Sequence, residues 1–213
     1  MKSLLIATHN QAKLEELKIG LKDFENQGIK LLTLNDVGVE EKPDESGKTF
    51  RENSRIKTQF YGRKVMLPTI GDDGGLVIPY LNNGPGVKSR RWPGYEATDE
   101  ELINYTLLHL RGVAQADRTA FLVVNLCFFD PRTNKTIYEE EKIKGHIAEK
   151  PSNKPTNGYP FRALFIVDEF NKPRSNRSKY YDELTEEEHD KINHRLKALK
   201  RLVKKIKIYL CYH

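Results

Sequence analysis

Two adjacent carboxylates, Asp72 and Asp73, sit in "PTIGDDGGLVIPYL" between apolar runs, and Gly74 and Gly75 follow at once. A third carboxylate, Glu45, precedes Ser46 and Gly47 in the acid-rich segment "EEKPDESGKTFRENS". A hard cation such as Mg²⁺ takes one or two carboxylates, several waters and substrate phosphates. Glu45 with Asp72 or Asp73 supplies that set. Side chains alternate along a strand, so only one of the adjacent pair reaches a given metal, and the other is left for a backbone N–H or a nearby basic group. Gly74 and Gly75 let phosphates approach the backbone closely. The same residues also read as a β-turn with two solvated aspartates.

A second cluster is "THNQAK", Thr8 to Lys13, placed where a strand gives way to a helix. The first N–H groups of a helix lack intrahelical partners, and the helix dipole puts partial positive charge there. Thr8 and Asn10 can hydrogen-bond phosphate oxygens, and Lys13 adds a mobile positive charge. Asn10 serves equally as a helix cap and Lys13 as a surface lysine. A Gly-rich phosphate loop is absent.

These residues need elements to hold them. "SLLIAT" fits a buried strand. Leu14, Leu17, Leu21 and Phe24 recur on one face of a helix capped by Asn10. A second helix is predicted from about Thr49 to Lys64, with Phe50, Ile56 and Phe60 as core contacts. "LPTIG" and "LVIPYL" read as two strands with the aspartates between them, and "NNGPG" as a turn. Thr98 with Glu101 and Thr185 with Glu188 form capping boxes for two later helices. "AFLVVNLCFF" and "TIYEEEKIKGHIAE" read as long strands, and "ALFIV" as another. The last helix carries the stripe Ile192, Leu196, Leu199 and Val203. His194 lies about 200° around this helix from Ile192. His194 and Arg195 then face water or a cleft. The mixture predicts an α/β protein with a mixed sheet.

Composition narrows the function class. The 213 residues are 38% hydrophobic and 31% charged, the balance of a soluble globular chain. No apolar run approaches the ~20 residues that span a bilayer, and the opening apolar stretch is too short for an export signal, so the cytoplasm is the expected location and no membrane partner is expected. The two cysteines, Cys127 and Cys211, have no neighbours at metal-ligand spacing. The net charge of +6 favours anionic partners. Much of it lies in "HRLKALKRLVKKIK", which reads as a solvated helix face.

The segments "THNQAK", "DESGKTFRENSRIK", "GDDGGLVIPYLNNGPGVKSRRWPG" and "EEEHDKINHRLKAL" occur in this order. Together they resemble the inosine triphosphate pyrophosphatase (Ham1-like) family over nearly the whole chain. The resemblance implies one domain over residues 1–213, with an elongated mixed β-sheet flanked by helices and a central nucleotide-binding cleft. It implies a homodimer. It implies hydrolysis of deaminated purine nucleoside triphosphates (ITP, dITP, XTP) to the monophosphate and pyrophosphate. Carried over by position, Thr8, Asn10 and Lys13 belong to the triphosphate loop, and Glu45 and Asp73 hold Mg²⁺. Asp73 is also the catalytic carboxylate. Gly74, Tyr159, Phe161, Arg162, His194 and Arg195 fall at substrate-binding positions.

Departures from the family pattern are specific. Gly74 stands where the family has Ser, and His189 where it has Lys. "NHR" replaces S-H-R. "GYPFRALF" replaces G-F-G-Y-D-P-I-F, so Arg162 takes the aspartate position. Asp accepts hydrogen bonds and Arg only donates. A guanidinium suits the O6 and N7 acceptors of a 6-keto purine, so keto-purine preference is expected to survive through Arg162. Alternatively, Arg162 turns outward to a surface carboxylate. Two other functions compete: a pyrophosphatase for a pyrimidine or other modified-base triphosphate, and a nucleotide- or RNA-binding protein without turnover. No stripe of basic residues interleaved with aromatics supports the last, and nucleic acid is not an expected partner.

Overall fold

The computed structural model describes residues 2–156, 158–170 and 179–211, without the side chain of Cys211. In chain order the elements are β1 (Ser3–Ile6), α1 (Gln11–Asn26), β2 (Lys30–Thr33), α2 (Phe50–Val65), β3 (Thr69–Ile78) and β4 (Gly84–Pro85). Next come α3 (Asp99–His109), β5 (Thr119–Asp130), β6 (Lys135–Ile147), β7 (Phe165–Val167), α4 (Glu186–Ile192) and α5 (His194–Cys211). The strands hydrogen-bond in the order β2-β1-β3-β5-β6-β7, with β4 paired to β3. β1 runs parallel to β2 and β3, whereas β4 and β7 pair antiparallel, so the sheet is mixed. No described helix is long and apolar enough to cross a membrane.

The chain forms two compact units, and β3, β5 and β6 contribute to both. The first comprises residues 1–74, 124–141 and 194–213. Asn10 caps α1 by accepting from the Lys13 amide, and Leu14, Leu17, Leu21 and Phe24 are buried as their spacing predicts. They pack with Leu4, Ile6, Ile70, Leu126, Leu199 and Leu202.

α2 departs from expectation. Its buried residues are Asn53, Ser54, Thr58, Tyr61 and Gly62. Of the expected core contacts, Phe60 packs, half-buried, against the cluster of Leu5, Ala7, Leu34, Val39 and Tyr61, whereas Phe50 and Ile56 are half-buried outside it. The reason is its partner strand. Ser54 Oγ donates to Asn125 Oδ1 (2.8 Å), Thr58 Oγ1 to Cys127 Sγ (3.0 Å), and a Cβ on Gly62 would meet Phe129 Cδ1 at 2.9 Å. Four residues of helix rise about 6 Å and two of strand about 6.8 Å. Positions 54, 58 and 62 therefore run in step with 125, 127 and 129. Small and polar side chains let the helix lie close on the strand.

Two further expectations need correction. The aspartates do not sit in a turn between two strands, because β3 runs unbroken through "GDDGG". Pairing of Leu5 and Ile6 with Thr69 and Ile70 extends the ladder up to the aspartates. The last helix is also two helices. Thr185 caps α4 with Glu188 as expected, but Asn193 leaves the helix at ψ 102° and α5 begins afresh at His194. The break resets the helical phase. The buried stripe of α5 is Ala198, Leu199, Leu202, Ile206 and Leu210, and His194 and Arg195 turn inward.

The second unit comprises residues 75–123 and 142–193. Leu76, Ile78, Leu102, Leu122, Ile147, Phe165 and Tyr181 belong to its core. Arg118, 4% exposed, donates to the carbonyls of Leu110, Ile147 and Ala148, each at 2.8 Å. These carbonyls lie at the exits of α3 and β6. Arg118→Leu removes this donor from all three carbonyls, of which Leu110 keeps the Val113 N–H, and is expected to cost about 3 kcal/mol, read as a lower urea midpoint. A loss under about 0.5 kcal/mol contradicts this role.

Candidate active site

The loop before α1 is built from its own side chains. Asn10 N–H donates to Thr8 Oγ1 (3.2 Å), and Lys13 N–H donates to Asn10 Oδ1 (3.1 Å). Thr8 and Asn10 thus shape the turn that presents the first-turn amides of Gln11 and Ala12, where a helix supplies no acceptor. His9 Nε2 lies 3.1 Å from Tyr61 Oη, and burial with the nearby Lys42 and Lys57 lowers its pKa. A neutral His9 fits beside the two ammonium groups.

Lys13 reaches β3. Its Nζ lies 3.2 Å from Asp72 Oδ2, and the same oxygen accepts from Arg195 Nε at 3.1 Å. Arg195 also pairs with Glu16, one turn along α1 from Lys13. Asp72 is fully buried and Arg195 is 5% exposed at its side chain. Burial opposes the Asp72 charge, yet Lys13, Arg195 and Lys57 hold its pKa well below the ordinary carboxylate range. Two cations and two anions from α1, β3 and α5 thereby close a buried network.

Asp73 takes different surroundings. Its Oδ1 accepts from the Gly74 N–H (2.9 Å), and its Oδ2 is buried with no hydrogen-bond partner among the described residues. Burial raises its pKa; Lys57 and Lys13 pull it down, and Glu45 and Asp72 push it up, for a net increase. Lys57 stands between these acids. Its Nζ lies 3.2 Å from Glu45 Oε2 and donates to the Asp72 carbonyl at 3.1 Å. Burial works against the Lys57 charge, but Asp73, Glu45 and Asp72 outweigh it and raise its pKa. Glu45 is placed by its chain neighbours: the Gly47 N–H donates to the buried Asn53 side chain at 2.8 Å.

Sequence reasoning missed Lys57 and Glu16. The signal for Lys57 was the polar run Asn53, Ser54, Lys57, Thr58 and Tyr61 at i, i+1, i+4, i+5 and i+8, which outlines a polar helix face. Glu16 follows Lys13 by three, a same-face spacing.

Glu45 and Asp73 offer hard oxygen donors, and the buried Oδ2 of Asp73 fits a cation. Among the described residues no group of three or more His, Cys, Asp or Glu side chains is gathered for a metal. A divalent ion held here would draw its remaining ligands from water and phosphate oxygens, the habit of Mg²⁺.

The other expected substrate residues lie in the second unit, apart from His194. Phe161 is buried in the apolar core, so its ring packs against protein. Tyr159 and Arg162 are half-buried. The Arg162 guanidinium stacks 3.6 Å from the Tyr159 ring centroid and 4.7 Å from that of Tyr181. Tyr181 Oη in turn lies 3.2 Å from His189 Nε2. His194 is 5% exposed at the start of α5, beside Arg195.

Comparison with known proteins gives a consistent picture. A family model described as "Ham1 family" matches residues 4–205. A dITP/XTP pyrophosphatase of Thermoanaerobacter pseudethanolicus is 37% identical over 199 residues, 93% of each chain. That of Bacillus subtilis is 35% identical over 205 residues, 96% of each chain. Among solved structures, a HAM1 protein from Coxiella burnetii superposes with a TM-score of 0.81 at 30% identity, covering 97% of this chain and 99% of its own. The Staphylococcus aureus Ham1 protein gives 0.80 at 26% identity, covering 97% and 98%.

Proposed function

The chain belongs to the Ham1 family, and from that premise we propose that it hydrolyses deaminated purine nucleoside triphosphates (ITP, dITP and XTP) to the monophosphate and pyrophosphate. The observation that carries the reading is the inequivalence of Asp72 and Asp73. Each acid keeps one buried oxygen without a hydrogen-bond partner among the described residues. The other oxygen of Asp72 is held by two cations, Lys13 and Arg195, whereas that of Asp73 accepts only the Gly74 N–H, with Lys57 and Glu45 nearby. Relatives bearing the dITP/XTP pyrophosphatase name align over nearly their whole length, which supports the same substrate class.

Glu45 and Asp73 would hold Mg²⁺. When bound, Mg²⁺ supplies neutralising charge to phosphate oxygens and the leaving pyrophosphate. The first-turn amides of α1 and Lys13 receive the phosphates. Lys13 exchanges Asp72 for a phosphate, and Arg195, tied to Glu16, keeps Asp72 neutralised while it does so. Lys57 steadies the two acids. Asp73, beside the phosphate site with a buried oxygen that no described group occupies, orients the attacking water and takes its proton. Recognition of the base is assigned to Tyr159 and Arg162. The same reading makes the protein a cytoplasmic homodimer.

Arg162 also favours a second reading. It donates only, and it stacks between two tyrosine rings. Any keto-bearing base, a modified pyrimidine included, satisfies such a donor.

Product analysis in ¹⁸O-labelled water tests the reaction. Inosine triphosphate with Mg²⁺ is expected to yield labelled monophosphate and unlabelled pyrophosphate, the outcome of attack at the α-phosphorus. Release of orthophosphate, or label in the pyrophosphate, would count against it.

A further inference from the structure

We infer that Arg90 and Asp99 form a clamp that positions the Tyr159–Arg162 segment and thereby sets affinity for the base. The inference rests on the assignment of base recognition to Tyr159 and Arg162. Arg90 lies near the end of the 3-10 segment Gly86–Arg91, and Asp99 is the first residue of α3. Arg90 Nη1 pairs with Asp99 Oδ1, and its Nη2 donates to the Gly158 carbonyl at 3.4 Å. The other carboxylate oxygen of Asp99 accepts from Thr156 Oγ1. One ion pair thus grips the chain at Thr156 and at Gly158.

Beyond this grip the chain winds tightly. Tyr159 N–H donates to the Thr156 carbonyl (2.8 Å), and Arg162 N–H to the Tyr159 carbonyl (3.1 Å). Gly158 has φ +82°, a conformation that side-chain-bearing residues adopt at a cost. Fixing Thr156 and Gly158 therefore fixes where Tyr159 starts, and the Arg162 guanidinium then lies across its ring. Asp99 is itself anchored, since the capping box of Thr98 and Glu101 defines the first turn of α3. A planar stack held this way loses little freedom when a base docks, which is how preorganisation gains affinity. Arg90 and Asp99 act on the base through Tyr159 and Arg162, so they are positioning residues.

The test compares two probes, inosine monophosphate for the base and inorganic tripolyphosphate for the phosphate site, by calorimetry on the whole protein. Arg90→Gln is expected to weaken inosine monophosphate about tenfold, since a charge-assisted hydrogen bond is lost. Tripolyphosphate binding is expected to stay within about twofold of wild type, and Arg90→Lys to recover part of the loss. Asp99→Asn should follow Arg90→Gln. Unchanged inosine monophosphate binding in Arg90→Gln, or equal weakening of both probes, overturns the inference. Wild-type protein that binds tripolyphosphate but not inosine monophosphate overturns the proposed substrate class instead. In that event amide exchange at residues 158–162, expected about tenfold faster in Arg90→Gln, still decides whether the clamp exists.

Discussion

Asp73→Asn is expected to lower turnover of inosine triphosphate about a thousandfold, because general-base catalysis contributes on that order. Asn keeps the shape and one carbonyl acceptor, but cannot take a proton and gives a cation no negative charge. The same variant is expected to fold at least as stably as wild type. Burial, Glu45 and Asp72 raise the Asp73 pKa in the folded protein. The folded state therefore holds that proton more tightly than the unfolded chain does. Ionising Asp73 above its folded pKa costs stability, and Asn removes the cost. Lost activity with an equal or higher melting temperature at pH 7 is the signature of a residue kept for function at the expense of stability. A variant retaining more than about a tenth of wild-type turnover would show that Asp73 is not the base.

Asp72→Ala has the opposite profile. It removes the acceptor shared by Lys13 and Arg195 inside the protein. Arg195 keeps Glu16, but the buried Arg195 and the half-buried Lys13 then face one acid. Removing one partner from a buried ionic group costs about 3–5 kcal/mol, so urea denaturation at pH 7 should show a loss of that size. The pH dependence is set by the direction of the shift. The folded pKa of Asp72 is depressed, so its contribution is fully present above the unfolded value of about 3.9. It is lost as pH falls toward the folded value. Wild type and Asp72→Ala should therefore draw together steadily as pH falls below the unfolded value, and meet only at the folded value, well below the ordinary carboxylate range. A variant within about 1 kcal/mol of wild type at pH 7 would mean that the network is not a net stabiliser.

Periodicity made α1 legible, because Leu14, Leu17, Leu21 and Phe24 bury one face and Asn10 caps it. Capping boxes located the starts of α3 and α4 for the same reason: a short polar side chain and an acid three residues on satisfy two orphan amides. The aspartates were read as a break between two strands because Asp and Gly are poor strand formers. Lys13, Arg195 and Lys57 make a buried Asp72 tolerable in mid-strand, and those partners come from three separate helices. The break at Asn193 was hidden because "EEEHDKINHRLKAL" reads as one helix, and only a ψ of 102° interrupts it. The buried face of α2 was hidden because it is polar, matched to Asn125 and Cys127 on β5. Asp72, Asp73, Glu45 and Lys13 were singled out as candidates by residue type and place, and only the family resemblance preferred Asp73 to Asp72. Lys57 and Glu16 were passed over: a polar helix face and a same-face spacing mark them, but their tertiary partners, which give them their roles, are not visible in the sequence.

Substrate choice is the most direct test of the central claim. Pyrophosphate release from inosine triphosphate and from ATP should be measured side by side with Mg²⁺, as kcat/KM. Preference for inosine triphosphate by about a hundredfold is expected, since a site built around a donor leaves an adenine amino group opposite another donor. Equal kcat/KM for the two, or no release from inosine triphosphate, would contradict it.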